Sequence, residues 1–568
     1  MVCFVKFSRA NTFDDYYLFV AIKSLTMVDI DRTNFEDHFE SMVEAIRNAD
    51  FIALDTEFTG LRSSAANTPS LFDTGEARYK KVRRSVLQIA PSQMGVSVFI
   101  NQKQQKTKYT SHTFNIYLIP QSFGPVDQRF LCQASSLEFL CKHNFDFNKF
   151  IYTGVSYLND EQEKKVKFHL KSDAFLEGVD RDVDERVLQK FCSVVAEWRV
   201  QAKEAETTQL HLPEGIGEYF IQIELKQRFL DLWPEVEKED GQTMIKVKKV
   251  SANERKTLEV QDRIDRMEQE KQCLDKLLGF TRIFREIVRS KKPVCGHNML
   301  MDLMMWYDKF YKPLPENYKT FKLDIHRMFP YIFDTKHMSA KLRRPFLETG
   351  LLEDTGLAAL FKTLVSQRTA TRFLYCPSIA HADGMDRYKN LEKPHEAGYD
   401  AFMTGGVFLQ LCHMYCQMDT KAEEMTKLAF RQYLPIVTEL ANNVNIIRAS
   451  TNHANFSGAD PPTQRPECLI FRSKRTNYKF NTSELAGVLS QYGTVDVRLQ
   501  GSHQALVAVG NIWCAKDILR EFSKHEHIKV CKYNIWKHSP VVRRVLWTGA
   551  IVSVAVCLWA VLSPSKQK

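Results

Sequence analysis

Apolar side chains recur at helical spacing over residues 36–48 (EDHFESMVEAIRN), which predicts an amphipathic helix. The next apolar run, residues 51–58 (FIALDTEF), is too short for a helix and carries β-compatible residues. It stops just before Gly60 and predicts a buried strand. Residues 96–100 and 114–119 read as further strands of the same sheet, with the polar Lys/Gln stretch 101–110 as the hairpin loop between them. From about 160 to 275 the pattern turns charged and helical, as in 184–203 and 251–278, and predicts a helical insertion within the sheet domain. Strand and helix alternation returns at Lys292 (KPVCGHN), with helical periodicity over 300–310 and 398–418. A Pro-rich break, 458–466 (GADPPTQRP), precedes a compact tail. There the pattern reads strand 468–471, helix 483–491, strands 495–499 and 504–509, helix 515–522 and strand 528–533. This βαββαβ order is that of an RNA-recognition motif (RRM). The fold class expected for the whole is α/β, a mixed sheet flanked by helices.

A length of 568 residues allows several domains, and 44% hydrophobic against 26% charged residues is the balance of a folded chain. The net charge of +10, from 78 basic and 68 acidic side chains, suits an anionic partner without identifying one. Thirteen cysteines lack both zinc spacing and a pairing rhythm, as expected of reduced thiols in the cytosol. Residues 1–27 contain no clean apolar stretch followed by a cleavage site, so an N-terminal extension is expected rather than a secretory signal. Residues 545–562 (VLWTGAIVSVAVCLWAVL) carry no charge, follow Arg543 and Arg544, and place Trp547 and Trp559 near the two ends. That pattern predicts a transmembrane tail anchor with the bulk of the chain on the cytosolic side. The alternative is a buried core helix. The short span and basic flanks suit the mitochondrial outer membrane, with the endoplasmic reticulum second.

Asp55 and Glu57 stand two apart at the end of the first strand and so share one face. Two carboxylates in an apolar setting repel and lose hydration, and a divalent cation relieves both costs. Asp302 follows Gly296-His297-Asn298 in a segment rich in Met, Leu and Trp. His395 precedes Asp400 by five positions at the start of a predicted helix. Each element alone is weak, since exposed strand-end acids and His-x4-Asp pairs are common.

Together, in this order, the three elements resemble the DEDD exonuclease superfamily in its histidine-type branch. The segments LDTEFTGL, CQAS (132–135), FDFNK (145–149), CGHNMLMD, PLP (313–315), FDTK (333–336) and HEAGYDAFMTG resemble the poly(A)-specific ribonuclease family over about residues 30–420. With the C-terminal anchor, the similarity is to the insect branch of that family that trims the 3′ ends of piRNA precursors. The resemblance implies an RNase H-like sheet and 3′-to-5′ exoribonuclease activity releasing nucleoside 5′-monophosphates. It implies two Mg²⁺ (or Mn²⁺) ions held by Asp55, Glu57, Asp302 and Asp400, with His395 as general base. Glu396 occupies the position where a tyrosine-type enzyme carries Tyr, so Tyr399 is not that residue. By the same resemblance Phe58 contacts the terminal base and Lys336 the phosphate, while His297 and Asn298 buttress the site. The implied partners are single-stranded RNA 3′ ends, a PIWI protein loaded with precursor RNA and a Tudor-domain scaffold.

The chain also departs from the family. The slot of its Arg-x3-His nucleic-acid-binding domain contains no such motif between 180 and 260. The third strand of the tail, HQALVAVG, offers no aromatic for base stacking, and the first offers only Phe471. Arg472, Lys474 and Arg475 remain as a basic cluster for phosphates, or as a solvated loop. The resulting architecture has an N-terminal extension (1–27), a nuclease domain in two parts (28–165 and 276–450) and an insertion (166–275). A linker (451–466), a degenerate RRM-like domain (467–538) and the anchor complete it. A poly(A) deadenylase and an inactive RNA-binding scaffold are the competing functions.

Overall fold

The structure, a computed structural model, describes residues 29–171, 185–212, 218–239, 242–346, 352–365, 374–389, 392–418, 426–463, 465–475 and 478–562. The expected extension 1–27 lies outside the described residues. An eight-stranded mixed sheet organises the nuclease part. Its strands are β1 (Phe51–Phe58), β2 (Pro91–Asn101), β3 (Lys108–Tyr117), β7 (Val294–Gly296), β8 (Ile332–Asp334), β9 (Ser378–His381), β10 (Asn443–Asn445) and β11 (His453–Asn455). Their spatial order is β11-β10-β8-β7-β1-β2-β3-β9. The long antiparallel trio β1, β2 and β3 forms because all three bury most of their residues and a hairpin joins β2 to β3. The parallel strands β7 and β8 are short and buried, as strands covered on both faces are. β11 carries the sheet beyond the expected domain end at residue 450.

Helices cover both faces. Phe35–Asn48 and Phe280–Ser290 bury Met42, Ile46, Ile283 and Phe284 on one side, together with Leu303 and Trp306. On the other side the helix Ala397–Gln417 runs through a second core with Phe51, Phe99, Leu360 and Phe408. Nineteen of its residues are buried, so it lacks a polar face and reads in sequence as one long apolar segment.

The insertion corrects the purely helical expectation. Besides the helices Glu185–Gln201 and Ala252–Leu278 it holds a three-stranded antiparallel sheet. The strands are β4 (Thr207–His211), β5 (Leu232–Glu239) and β6 (Gln242–Lys249), in the order β4-β6-β5. Ile245 and Val247 enter a local core while Lys246 and Lys248 alternate with them. The charge density of this strand conceals its period of two.

The tail has the expected topology. Its strands are β12 (Leu469–Ser473), β13 (Val495–Leu499), β14 (Gln504–Val509) and β15 (Ile528–Lys532), in the order β13-β14-β12-β15. Leu469, Phe471, Ala505 and Val507 pack on the helices Thr482–Ser490 and Ile512–Glu521. Ile470 and Arg472 therefore occupy the opposite face, where an RRM lays out nucleotides. Phe471, the only aromatic of this strand, is core. The outer face of β13 meets the nuclease part instead. Asp496 accepts from Leu71 N–H at 2.5 Å and pairs with Arg448 at 2.5 Å, and the Arg498 guanidinium lies 4.5 Å from the Phe72 ring centre.

The C-terminal helix Pro540–Leu562 leaves this domain, and Val545, Leu546, Trp547, Ile551, Val556 and Trp559 are all exposed. The buried-core alternative is therefore excluded for these side chains. Among the described residues no helix is long and apolar enough to cross a membrane. The expected span 545–562 runs past Trp559, and the side chains of 560–562 lie outside the described residues.

Candidate active site

The site forms at the end of β1, where three chain segments converge. Asp55 and Glu57 lie on one face of this strand, and Thr56 points to the other, where its hydroxyl accepts from the Trp306 indole at 2.8 Å. The second segment is the loop after β7. Asn298 lies there with φ +59°, before the helix Leu300–Trp306 begins, so although it stands four positions before Asp302 it does not share a helix face with it. Its side-chain Oδ1 accepts from Asn445 Nδ2 at 2.9 Å, and His297 Nδ1 lies 2.9 Å from Thr335 Oγ1. Both residues buttress the loop. Asp302 sits in the first turn of the helix that follows.

The third segment carries His395 and Asp400. The helix Ala397–Gln417 starts against the sheet, with Ala397 N–H bonded to Gln93 Oε1 (2.8 Å) and Gly398 N–H to Asn115 Oδ1 (3.0 Å). Gly95, directly opposite Asp55 in the ladder, makes this approach possible: a Cβ there would stand 1.8 Å from the Ala397 carbonyl oxygen. Asp400 is buried in the first turn, and its Oδ1 accepts from the His395 backbone N–H at 3.2 Å. His395 has φ +68°, a conformation that non-glycine residues seldom adopt. The next residue is held from outside: Glu396 accepts from Arg387 at 2.8 Å and from the Tyr388 hydroxyl, and Arg387 also bonds Asp29. The strain at His395 is thus supported by a buried network.

Glu57, His395 and Asp400 place one ligand atom each within 4.8 Å of one another, and His395 Nδ1 lies 3.9 Å from Asp400 Oδ2. Burial pushes the Asp55 carboxyl up to about 7. Burial first, and then the other carboxylates of the cluster, raise Glu57, Asp302 and Asp400 well above the usual range. Among the described residues no Lys or Arg forms an ion pair with any of the four. This is the donor set of a divalent-cation site, with hard oxygen ligands and no internal counter-charge. A bound cation would supply the missing positive charge and polarise a phosphoryl oxygen.

The raised pKa values carry a stability consequence. A carboxyl whose folded pKa exceeds its unfolded value binds extra protons in the folded state. Its stabilising contribution is full below about pH 4 and is lost as pH rises through the folded value, about 7 for Asp55. The metal-free protein is therefore expected to lose thermal stability between pH 4 and pH 7.5, and millimolar Mg²⁺ or Mn²⁺ at pH 7.5 restores it. Thermal unfolding across this range, with and without chelator, checks both signs. A metal-free midpoint that rises towards pH 7.5 would contradict the prediction.

Burial, and after it the neighbouring His143, lowers the pKa of His395, which keeps its imidazole neutral and able to accept a proton near pH 7. His143 and Phe139 stand edge-on to His395 at 4.2 and 4.7 Å between ring centres. Phe58 packs partly on the core beyond an irregularity in the β1–β2 ladder, with some of its surface open. Lys336 is half-buried and its ammonium donates to the Thr355 carbonyl at 2.7 Å. Sequence reasoning missed Gln93, Gly95, Asn115, Arg387 and Asp334. Asp334 is fully buried and accepts from the backbone N–H groups of Asn298, Met299, Lys336 and Asn445. Its place beside Thr335 and Lys336 at a strand end was the available signal.

Comparison with known proteins supplies the family. The family described as CAF1 family ribonuclease matches residues 30–408. The Mus musculus poly(A)-specific ribonuclease PNLDC1 is 33% identical over 540 residues, covering 94% of this chain and 98% of its own. The Bombyx mori pre-piRNA 3′-exonuclease trimmer is 29% identical over 539 residues, again covering 94% and 98%. The Xenopus laevis poly(A)-specific ribonuclease PARN is 28% identical over 520 residues, covering 85% of this chain and 77% of its own. The family match takes in all four carboxylates and His395, and the chain belongs to the CAF1 family of ribonucleases.

Proposed function

We propose that this ribonuclease trims the 3′ ends of piRNA precursors, removing nucleoside 5′-monophosphates from 3′ to 5′. The observation that carries the chemistry is the cluster of four crowded carboxylates, none ion-paired to Lys or Arg among the described residues, facing a neutral imidazole. Asp55, Glu57, Asp302 and Asp400 would hold two Mg²⁺ ions, or Mn²⁺ in their place. His395 Nδ1 or Nε2 takes the proton of the attacking water, and its partial exposure leaves a route for that proton to solvent. Phe58 stacks on the terminal base. Lys336 exchanges the Thr355 carbonyl for a backbone phosphate.

The similarity to the Bombyx trimmer over nearly the full length of both chains supports precursor RNA as substrate. The substrate would arrive on a PIWI protein, with a Tudor-domain protein as scaffold. The outer face of β13 is engaged with the nuclease part and β14 brings no aromatic, so delivery by partners replaces capture by an RRM platform. The exposed apolar helix at the C-terminus would anchor the chain in the mitochondrial outer membrane, or in the endoplasmic reticulum. A second reading, poly(A) deadenylation, is favoured by the names of the mouse and frog relatives.

The test is an end-labelled RNA assay on the full chain. PIWI-loaded precursor, free precursor and free poly(A) are compared with and without Mg²⁺. Stepwise, metal-dependent shortening of the loaded precursor in preference to poly(A) is expected. Faster shortening of poly(A) would favour the deadenylase, and no shortening of any substrate would reject the enzyme. A 2′-O-methyl terminus is expected to slow the reaction if the site holds the terminal ribose closely, and an unchanged rate would count against that contact. Imaging the C-terminal segment on a reporter tests the anchor, which a diffuse signal would reject.

A further inference from the structure

A second cleft lies where the RRM-like domain meets the first turns of the C-terminal helix. It is shallow and open, of about 630 Å³, and is lined by Arg472, Trp536, Lys537, Leu546, Trp547 and Ala550. Arg472 comes from the outer face of β12, and Trp536 and Lys537 from the short turn of helix Ile535–His538. Leu546, Trp547 and Ala550 form one face of the helix Pro540–Leu562.

Three observations bear on what this cleft receives. First, Arg472 and Lys537 lie together, both near the buried His538, and neither forms an ion pair among the described residues. Two adjacent cations without a counter-ion make an anion site. Second, Trp536 and Trp547 are exposed by 66% each, and Ile535 by 54%. Large aromatic rings with one polar edge settle where an apolar phase meets water. Third, Ile551, Val554 and Leu558 continue the same helix face beyond Ala550 and are all exposed. A polyanion such as RNA would satisfy Arg472 and Lys537 but would leave this apolar surface in water. A phospholipid satisfies both, since its phosphate reaches the cations while its chains cover the helix.

We infer that this cleft is a phospholipid headgroup site, which seats the corner of the RRM-like domain around Arg472 and the helix Ile535–His538 on the bilayer surface. The inference rests on the membrane reading of the C-terminal helix. It goes beyond an anchor on a flexible tether, because it fixes the height and tilt of the whole domain.

Hydrogen exchange on the full chain tests it, in phosphatidylcholine vesicles with and without phosphatidylserine and in phosphate-free maltoside micelles. Flotation with the vesicles is recorded in parallel and reports the anchor alone. Amides of residues 470–473 and 534–538 are expected to exchange about tenfold more slowly in vesicles than in micelles. The R472Q/K537Q variant is expected to float like the wild type and to lose that protection, and W536A to lose part of it. Unchanged exchange in floating wild type overturns the cleft and leaves the anchor standing. Failure to float overturns both. Protection in micelles by inorganic phosphate alone makes it a free-phosphate site, and protection there by single-stranded RNA makes it an RNA site. Either result overturns the lipid assignment.

Discussion

Glu57→Gln will slow 3′ shortening by at least about 10³-fold, equivalent to about 4 kcal/mol of transition-state stabilisation. Glu57 is the member of the cluster that meets both His395 and Asp400 within 4.8 Å. Glutamine keeps its length and shape but removes one negative charge and one ligand oxygen, so the fold survives while the cation site is weakened. The same change relieves repulsion among Asp55, Asp302 and Asp400, whose carboxyls all sit above their usual range. The metal-free variant is therefore expected to unfold a few degrees higher than the metal-free wild type at pH 7.5, and to gain less from Mg²⁺. Single-turnover rates and thermal unfolding on the same preparations give both numbers. Activity within tenfold of wild type would remove Glu57 from the site. Lost activity together with a lowered metal-free midpoint would mean that the residue supports the fold instead.

Gly95→Ala carries the second large effect, although glycine 95 makes no contribution to the chemistry itself. Its added Cβ would stand 1.8 Å from the Ala397 carbonyl oxygen and 2.7 Å from the Gly398 nitrogen. Both neighbours are backbone, so no side chain can swing aside. The N-terminus of the helix Ala397–Gln417 must retreat by on the order of 1.5 Å to reach ordinary contact. Gly95 faces Asp55 in the ladder, so that retreat opens the distance between the carboxylate of β1 and Asp400. Misplacement on this scale costs about 10²-fold in rate, and overpacking adds about 1–3 kcal/mol of destabilisation. Gly406→Ala on the same helix is the control, because its Cβ would meet a side chain at 3.3 Å and no backbone. The control should keep its rate, and a Gly95→Ala enzyme with normal rate and normal metal affinity would show that the close contact does not set the site.

Several strands were legible because they are short, apolar and punctuated. β1, β13 and β14 begin and end at the residues that the sequence pattern predicts. The sheet of the insertion was not, because Lys246 and Lys248 alternate with Ile245 and Val247 in a segment whose overall charge resembles the long helices beside it. The acidic residues of the site were legible as types in an order, but the support around them was not. Gln93 and Asn115 cap the helix Ala397–Gln417 from strands some three hundred residues upstream, a pairing that no local pattern reveals. Arg387 joins Asp29 to Glu396 across almost the whole nuclease part. Asn298 shows the limit of spacing arguments. Its distance from Asp302 fits a helix turn, yet the backbone there is left-handed and the helix has not begun.

The helix Ala397–Gln417 holds Asp400 in its first turn and buries nearly all of its length in the core. Foldedness and competence are therefore inseparable: a chain that has completed its core already carries Asp400 in firing position. On the function proposed above, restraint would fall to logistics, to which RNA ends are brought within reach and for how long.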